Sequence, residues 1–265
     1  MFTCLEVLPE KEGIFSKIHE KIKPPLPQRE YVQVKGGTPF LRLKVRKNHM
    51  SWAKISASLE KNERRVITGS DIQFPDCVSF ARAEPRALGT NIMFRTALKL
   101  FEKSEKGKNL SVSLYDRDGS CIKKLKSLAP LVRYVSVYTE KIREYFYASS
   151  VIMEEWGMSV KINEYESLSP PGEIIIADDF SLNMRDARLV FLASPAVISY
   201  NTVTGEGFAL DEPYKILKSG STDDFLFASA LYEYNGVKDF ENTEFQTLCL
   251  AGRKVNHEIL LEKLG

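Results

Sequence analysis

The chain has 265 residues, of which 43% are hydrophobic, and its 37 basic residues nearly balance its 35 acidic residues. This composition provides enough apolar side chains for packed cores and excludes an intrinsically disordered chain. The small net charge gives no long-range field that would collect nucleic acid or a membrane surface, so the sequence predicts neither as a partner.

Residue spacing in the first part of the chain predicts a mixture of helices and strands. Apolar residues at helical spacing end before Pro24 and Pro25, whose rings cannot continue a helix. Farther along, apolar and basic residues alternate on either side of a glycine-bearing turn, which is the pattern of a hairpin with one solvated face. The predicted elements are a helix over 12–22, strands over 31–35 and 40–46, a helix over 50–59 and a strand over 64–68.

The prolines and glycine between residues 71 and 89 predict a boundary between a mixed α/β lobe over residues 1–88 and a larger lobe over residues 89–265. In the larger lobe, short apolar runs alternate with helical patterns. This alternation requires right-handed crossovers, so it predicts an α/β fold with a mostly parallel sheet and helices on both faces. The predicted elements are a helix from Thr90, strands over 110–115, 134–138, 159–162, 174–177 and 189–193, helices over 120–128 and 141–156, a hairpin of 196–200 with 207–210, and terminal helices over 225–234 and 258–264.

The helix over 141–156 has the clearest helical pattern in the chain. Gly157 follows it, and glycine is the residue that most often ends a helix in the left-handed conformation. Its apolar residues recur at helical spacing, which predicts that they share one buried face. The apolar residues of this face are Ile142, Tyr145, Phe146, Ile152, Met153 and Trp156.

Cysteine and histidine are too sparse and too widely spaced for a disulfide framework or a zinc site. The four cysteines include no CxxC pair, and the chain has three histidines. Isolated buried thiols are therefore expected. The first ten residues carry acids and lack an apolar signal core, and no apolar run reaches the ~20 residues of a membrane helix. The sequence predicts a soluble, cytoplasmic protein.

Polar residues follow three of the predicted strands at the point where each strand ends. Asp116 and Asp118 follow the strand over 110–115, Thr139 and Glu140 follow the next strand, and Asp178 begins an acidic pair after a third strand. Ligands of open α/β sheets bind just beyond the carboxyl ends of the strands. The candidate ligand-binding residues at this edge are Gly119, Ser120, Thr139, Glu140, Asp178, Asp179 and Ser194.

The order of these elements resembles the dinucleotide-binding Rossmann fold. In that fold the first strand runs into a glycine-rich phosphate loop, and the second strand ends in a ribose-binding acid. Glu140 lies 24 residues after Asp116 (140 − 116), which is close to the usual spacing of that acid. However, Asp116 and Asp118 stand where the phosphate loop has glycines, and carboxylates repel a pyrophosphate. The sequence therefore predicts a Rossmann-like domain that does not bind NAD(P) through this loop.

A second resemblance is carried by the run Asp116-Arg-Asp118-Gly119-Ser120. It is similar to the first motif of the haloacid-dehalogenase-like phosphatases, in which an apolar strand is followed by DxDG and Thr or Ser. Thr139 matches the Thr or Ser that ends the second strand in that family. The pair Asp178-Asp179 matches the acidic pair that follows a later strand, so three motifs fall in order over residues 110–180.

The phosphatase resemblance implies an Mg²⁺-dependent phosphohydrolase. Asp116 would be the phosphoryl-accepting nucleophile and Asp118 the general acid/base, with Asp116 and Asp178 as metal ligands. The sequence departs from the family at one point. The lysine that shields the charge of the phosphate is expected on a helix before Asp178, whereas the interval 164–173 is too short for that helix and contains no lysine.

The same polar residues also have a structural interpretation, because Asp116, Thr139 and Asp178 can cap the elements that follow their strands. This interpretation leaves a small-molecule-binding, regulatory or protein-interaction module whose ligand or partner the sequence does not identify. It is the interpretation that the sequence favours, and the phosphohydrolase is the alternative. A Lys or Arg that faces Asp116 distinguishes them, because the enzyme needs a cation to offset the phosphate charge.

Overall fold

The computed structural model of the chain describes residues 1–10, 25–69, 71–76, 78–104, 107–167, 172–179, 184–193, 197–218 and 222–265. The helix predicted over 12–22 and the candidate ligand-binding residue Ser194 lie outside the described residues. Among the helices that are described, none has both the length and the apolar character that crossing a membrane requires.

The described residues form thirteen strands and six α-helices. The strands are β1 (Thr3–Leu8), β2 (Gln28–Val32), β3 (Phe40–Arg46), β4 (Arg65–Ile67), β5 (Ala81–Arg82), β6 (Ser111–Tyr115), β7 (Tyr134–Thr139), β8 (Val160–Glu164), β9 (Ile174–Ala177), β10 (Leu189–Leu192), β11 (Thr202–Glu206), β12 (Thr247–Leu250) and β13 (Arg253–Val255). The helices are α1 (Trp52–Ala57), α2 (Ala87–Lys103), α3 (Ile142–Trp156), α4 (Tyr214–Leu217), α5 (Asp224–Asn235) and α6 (His257–Leu264).

The chain folds into two compact units. The first unit comprises Met1–Pro85 together with Ala209–Phe240, and the second comprises Arg86–Phe208 together with Glu241–Gly265. The predicted boundary after residue 88 lies near the first of these divisions. The segment Ala209–Phe240 belongs to the first unit, although nothing in its composition distinguishes it from its neighbours in the second.

The first unit contains a five-stranded sheet in the order β2-β3-β1-β4-β5, in which only β2 and β3 pair in the antiparallel direction. Strand β3 coincides with the predicted run over 40–46. Its partner β2 begins earlier than the predicted strand, and β1 was not predicted. Side chains of β1, β3 and β4 form a buried apolar cluster with Ile55 of α1.

The second unit contains an eight-stranded sheet in the order β13-β12-β11-β10-β9-β6-β7-β8, in which β6 to β11 are parallel. If these six strands are numbered 1 to 6 along the chain, the order reads 3-2-1-4-5-6, which is that of a Rossmann domain. Val112 pairs with Val135, and Ile175 pairs with Val190. The predicted parallel pairing of the strands over 110–115, 134–138, 174–177 and 189–193 is confirmed.

The parallel sheet is buried on both faces, which explains why its strands read as continuous apolar runs. Helices α2, α3 and α6 contribute side chains to the core cluster on one face. In the described part of the chain, the opposite face is packed by Tyr165, Met184 and Ala187. These three residues belong to connecting segments.

Helix α3 buries a narrower face than its sequence pattern predicts. Tyr145 and Ile152 are fully buried, whereas Phe146, Met153 and Trp156 remain about half exposed. The end of the helix agrees with the prediction, because Gly157 adopts a positive φ of 65° and its N–H donates to the carbonyl of Met153 at 3.0 Å. The predicted helix over 120–128 is a 3₁₀ helix over Ile122–Ser127.

The hairpin predicted for 196–200 with 207–210 is wrong. The strand of this region is β11, which spans the predicted turn and pairs in parallel with β10. Its β-branched residues Thr202, Val203 and Thr204 favour a strand. Gly205 is not a turn residue but is required for packing: a Cβ at this position would lie 2.0 Å from the ring of Phe245.

Strands β12 and β13 form a hairpin that the sequence analysis missed, because only helices were predicted near the end of the chain. Ala251 and Gly252 connect the strands, with φ values of 52° and 75°. Positive φ at both central residues is characteristic of a type I′ turn. The dipeptide Ala-Gly between apolar runs was the signal for this hairpin, but it is weaker than Asn-Gly or Asp-Gly.

Candidate functional site

The candidate site lies at the C-terminal ends of the strands around the switch point of the second unit. The chain leaves β6 toward β7 on one side and later returns to β9 on the other side, so β6 and β9 are the central neighbours. Ligands of open α/β sheets bind at this position. Asp116 follows β6 and Asp178 follows β9, which places both carboxylates beside the switch point.

Asp116 is 2% exposed, and donors of the protein occupy both of its carboxylate oxygens. Oδ1 accepts hydrogen bonds from the backbone N–H of Ser120 at 3.0 Å and from the Ser120 hydroxyl at 2.9 Å. Oδ2 accepts from the backbone N–H of Cys121 at 2.8 Å and from the hydroxyl of Tyr145 at 2.5 Å. The carboxylate therefore closes the loop after β6 and ties it to helix α3.

The two groups that surround the Asp116 carboxylate are kept in their neutral forms. Burial and then the negative charge of Asp116 raise the pKa of Tyr145, so its hydroxyl stays protonated and acts as the donor. Burial and then Asp116 raise the pKa of the Cys121 thiol well above its usual value. Cys121 is therefore not an activated nucleophile, because a reactive cysteine needs a lowered pKa.

The rest of the loop is more exposed than Asp116. Asp118 is exposed, and Arg117 and Ser120 are partly buried. Gly119 has a φ of 77°, and a Cβ at this position would lie 2.7 Å from Cδ1 of Ile122. The positive φ favours a glycine here, whereas the Ile122 side chain could shift to make room for a Cβ.

Strand β7 ends in a turn that is bonded to the same loop. The buried hydroxyl of Thr139 accepts from the N–H of Lys141 at 2.9 Å and donates to the carbonyl of Arg117 at 3.4 Å. The N–H of Glu140 donates to the same carbonyl at 3.3 Å. The Glu140 side chain is exposed, and its Oε1 lies 3.7 Å from Nε of Arg117. Thr139 therefore has a structural role, while Glu140 faces solvent.

The acidic pair after β9 is divided between two partners. The hydroxyl of Tyr165 donates to Oδ1 of Asp178. Oδ2 of Asp179 forms an ion pair with Arg86 at 2.9 Å, and both side chains are partly exposed. Burial raises the pKa of Asp178, although Tyr165, Arg86 and the nearby Arg117 act in the opposite direction.

Three tyrosines that the sequence analysis did not single out line this edge of the sheet. The rings of Tyr115 and Tyr138 are stacked, with centroids 4.2 Å apart and planes 3° apart. Tyr165 meets Tyr115 edge to face at 6.1 Å, and the guanidinium of Arg117 lies 4.4 Å from the centre of the Tyr165 ring. The sequence did contain a signal for the stacked pair. Tyr115 and Tyr138 lie at or near the C-terminal ends of neighbouring strands, and the parallel register places them opposite each other.

The acidic side chains at this edge have different surroundings. The charge of Asp116 contributes to the raised pKa of Asp178, so these two lie within electrostatic reach of each other. Asp118 is exposed, and Asp179 is paired with Arg86. No group of three or more His, Cys, Asp or Glu side chains suited to a metal ion occurs among the described residues. Within the described part of the chain, no Lys or Arg forms an ion pair with Asp116.

Comparison with known proteins identifies no family. No protein-family description matches the sequence, and no curated protein matches it. Among solved structures, the chain is similar to L-tryptophan dehydrogenase from Nostoc punctiforme, with 12% sequence identity and a TM-score of 0.27. The match covers 73% of this chain and 62% of that chain, so the chain spans less than two thirds of that enzyme. A similarity this low supports no inference about activity.

The hydrogen bond between Tyr145 and Asp116 predicts a specific loss of stability. Tyr145→Phe removes one of four donors from a buried carboxylate, which should lower the free energy of unfolding by about 1.5–3 kcal/mol. Tyr147→Phe is the matched control, because Tyr147 lies on the same helix and is 77% exposed. Urea denaturation measures both variants. Equal stability of the two variants would contradict the assigned role of Tyr145.

The raised pKa of Asp178 predicts a dependence of stability on pH. The folded protein holds the proton of this carboxyl more tightly than the unfolded chain, whose Asp has an ordinary pKa of 3.8. The stability contributed by Asp178 is therefore fully present below about pH 3.8 and is lost as the pH rises through its raised pKa. Asp178→Asn keeps an acceptor for Tyr165 and removes this loss.

Unfolding free energies of the native protein and the Asp178→Asn variant, measured between pH 4 and pH 7, test this expectation. The variant should gain stability relative to the native protein as the pH rises. Asp186→Asn removes an exposed carboxyl and is the matched control. A difference between native protein and Asp178→Asn that stays constant over this range would contradict the expectation.

Proposed function

We propose that the second unit is a small-molecule-binding module of the Rossmann-like class that does not take a dinucleotide in the loop after β6. The observation that carries this proposal is the bonding of Asp116. In dinucleotide-binding domains, backbone N–H groups at the start of the first crossover bind the pyrophosphate. Here the N–H groups of Ser120 and Cys121 donate to the carboxylate of Asp116. The Asp116 carboxylate thus accepts from the N–H groups that would otherwise be available to a pyrophosphate.

The ligand that this edge suits best is a small metabolite that carries both a positive and a negative group. Arg117 and Glu140 lie 3.7 Å apart, and 43% and 62% of their side chains are exposed. Arg86 and Asp179 form a second pair, of which 34% and 44% are exposed. Half-exposed pairs of opposite charge exchange partners with a ligand at little cost, because they already contact water. The stacking of Arg117 on Tyr165 fixes the orientation of its guanidinium.

A panel of metabolites tests this proposal by thermal shift. Amino acids and other zwitterions should raise the Tm of the native protein, whereas NAD(H) and NADP(H) at millimolar concentration should not. Arg117→Ala should reduce the shift, because it removes the more exposed of the two cations of the edge. Arg143→Ala makes the same change at an exposed position of α3 and should leave the shift intact.

Two results would contradict the proposal. Stabilisation by NAD(H) or NADP(H) at micromolar concentration would mean that the loop accepts a pyrophosphate in spite of Asp116. A zwitterion shift that is the same in the native protein and in Arg117→Ala would mean that the ligand binds elsewhere. Mass spectrometry of the supernatant from denatured protein identifies any ligand that co-purifies.

The Mg²⁺-dependent phosphohydrolase is the second candidate, and one observation favours it. The negative charge of Asp116 contributes to the raised pKa of Asp178, so the two carboxylates lie within electrostatic reach of each other, as carboxylates of a shared metal site do. The bonding of Asp116 weighs against it, because a nucleophile needs a free oxygen and a cation beside the phosphate. Hydrolysis of p-nitrophenyl phosphate that requires Mg²⁺ and disappears in Asp116→Asn would establish this candidate in place of the first.

A further inference from the structure

The first unit contains a cavity of about 530 Å³ whose lining is rich in positive charge. Sites for small molecules range from ~300 to 1,000 Å³, so the volume suits a metabolite. Basic side chains of Lys61, Arg64 and Arg65 line the cavity, together with the polar residues Asn62 and Ser79. Its described lining contains no acidic residue.

One wall of this basic cavity is fixed from inside the unit. It is the 3₁₀ helix Lys61–Glu63, whose last residue is fully buried. The Glu63 carboxylate accepts hydrogen bonds from Arg29 at 2.8 Å, from the hydroxyl of Tyr31 at 2.6 Å and from the N–H of Glu60 at 2.8 Å. These bonds hold the turn in place, while its first two residues are exposed.

The floor of the basic cavity is formed by the pairing of β4 with β5. Arg65 lies opposite Ala81 in the parallel register, and the N–H of Ala81 donates to the carbonyl of Arg64 at 3.0 Å. The guanidinium of Arg65 lies 4.9 Å from the centre of the Tyr234 ring. A stacked guanidinium loses less side-chain freedom when it binds an anion, so this contact preorganises Arg65.

The positive charge of the basic cavity is not neutralised by the protein. Some basic side chains elsewhere in the unit are paired with acids, as Lys44 is with Glu30 and Lys218 is with Asp224. Within the described residues, Lys61, Arg64 and Arg65 form no ion pair. Three like charges around one cavity repel one another, and a bound anion would offset that repulsion.

We propose that the basic cavity binds a phosphate-bearing small molecule. The forked guanidinium groups of Arg64 and Arg65 match the geometry of phosphate oxygens, and Lys61 adds a point charge. Asn62 and Ser79 supply neutral donors. The concave shape favours a compact ligand over nucleic acid, which needs an extended basic surface. The proposal is independent of the function proposed for the second unit.

Calorimetric titration with pyrophosphate tests the proposed anion site. The native protein should bind pyrophosphate, and the double variant Lys61→Gln, Arg64→Gln should bind at least tenfold more weakly, because two of the three cations are removed. Lys35→Gln, Lys54→Gln is the matched control, since it removes two exposed positive charges from positions outside the cavity. The control should bind as the native protein does.

Thermal melts without anion show whether the variants fold, and the Lys61, Arg64 variant should be no less stable than the control because its changes relieve repulsion between exposed groups. Equal loss of affinity in both double variants would overturn the proposal, because it would mean that the affinity depends only on the net charge of the protein. The absence of pyrophosphate binding by the native protein would also overturn it. Tighter binding of duplex DNA than of pyrophosphate would also overturn the proposal, because the site would then bind an extended polyanion.

Discussion

The carboxylate of Asp116 is the constraint on which the candidate site depends. A buried charge costs several kcal/mol unless hydrogen bonds or ion pairs replace its lost hydration. Asp116 is satisfied by two backbone N–H groups and two hydroxyls, and no cation is paired with it in the described part of the chain. The loop after β6, the 3₁₀ helix that follows it and helix α3 are therefore joined through one side chain.

The sheet has the strand order of a dinucleotide-binding domain, but the loop after β6 differs from the phosphate loop of such domains. The strand order and the switch point between β6 and β9 are those of a Rossmann domain. In place of a glycine-rich loop with free N–H groups, the loop contains an acid that accepts from those N–H groups. The neighbouring strand ends add stacked tyrosines and partly exposed ion pairs.

The sequence was a good guide where burial alone decides the structure. Strands β6, β7, β9 and β10 are covered on both faces, so they read as short apolar runs that were predicted close to their true bounds. The sequence was a poor guide where the same residue type or spacing is compatible with two structures. Gly205 provides space for the ring of Phe245 inside a strand, but glycine is also a common turn residue. The exposed apolar residues of α3 follow helical spacing as closely as its buried ones do.

The position of these acids at the sheet edge was predictable, but their bonding was not. Acids at the ends of parallel strands indicate an edge, and that edge does carry Asp116 and Asp178. Their partners come from distant parts of the sequence, since Tyr145 lies 29 residues from Asp116 and Tyr165 lies 13 residues from Asp178. Neither tyrosine differs in its sequence context from a core aromatic residue. Only the folded geometry distinguishes a carboxylate that is free to react from one that is held by four donors.

Hydrogen exchange at the backbone amides of Ser120 and Cys121 tests the central claim most directly. If Asp116 accepts from both N–H groups, their exchange in the native protein should be slowed far below that of an exposed loop. In an Asp116→Ala variant that remains folded, both amides should lose this protection while amides in the core of β6 and β7 keep theirs. Rapid exchange of Ser120 and Cys121 in the native protein would contradict the claim that Asp116 accepts from both N–H groups.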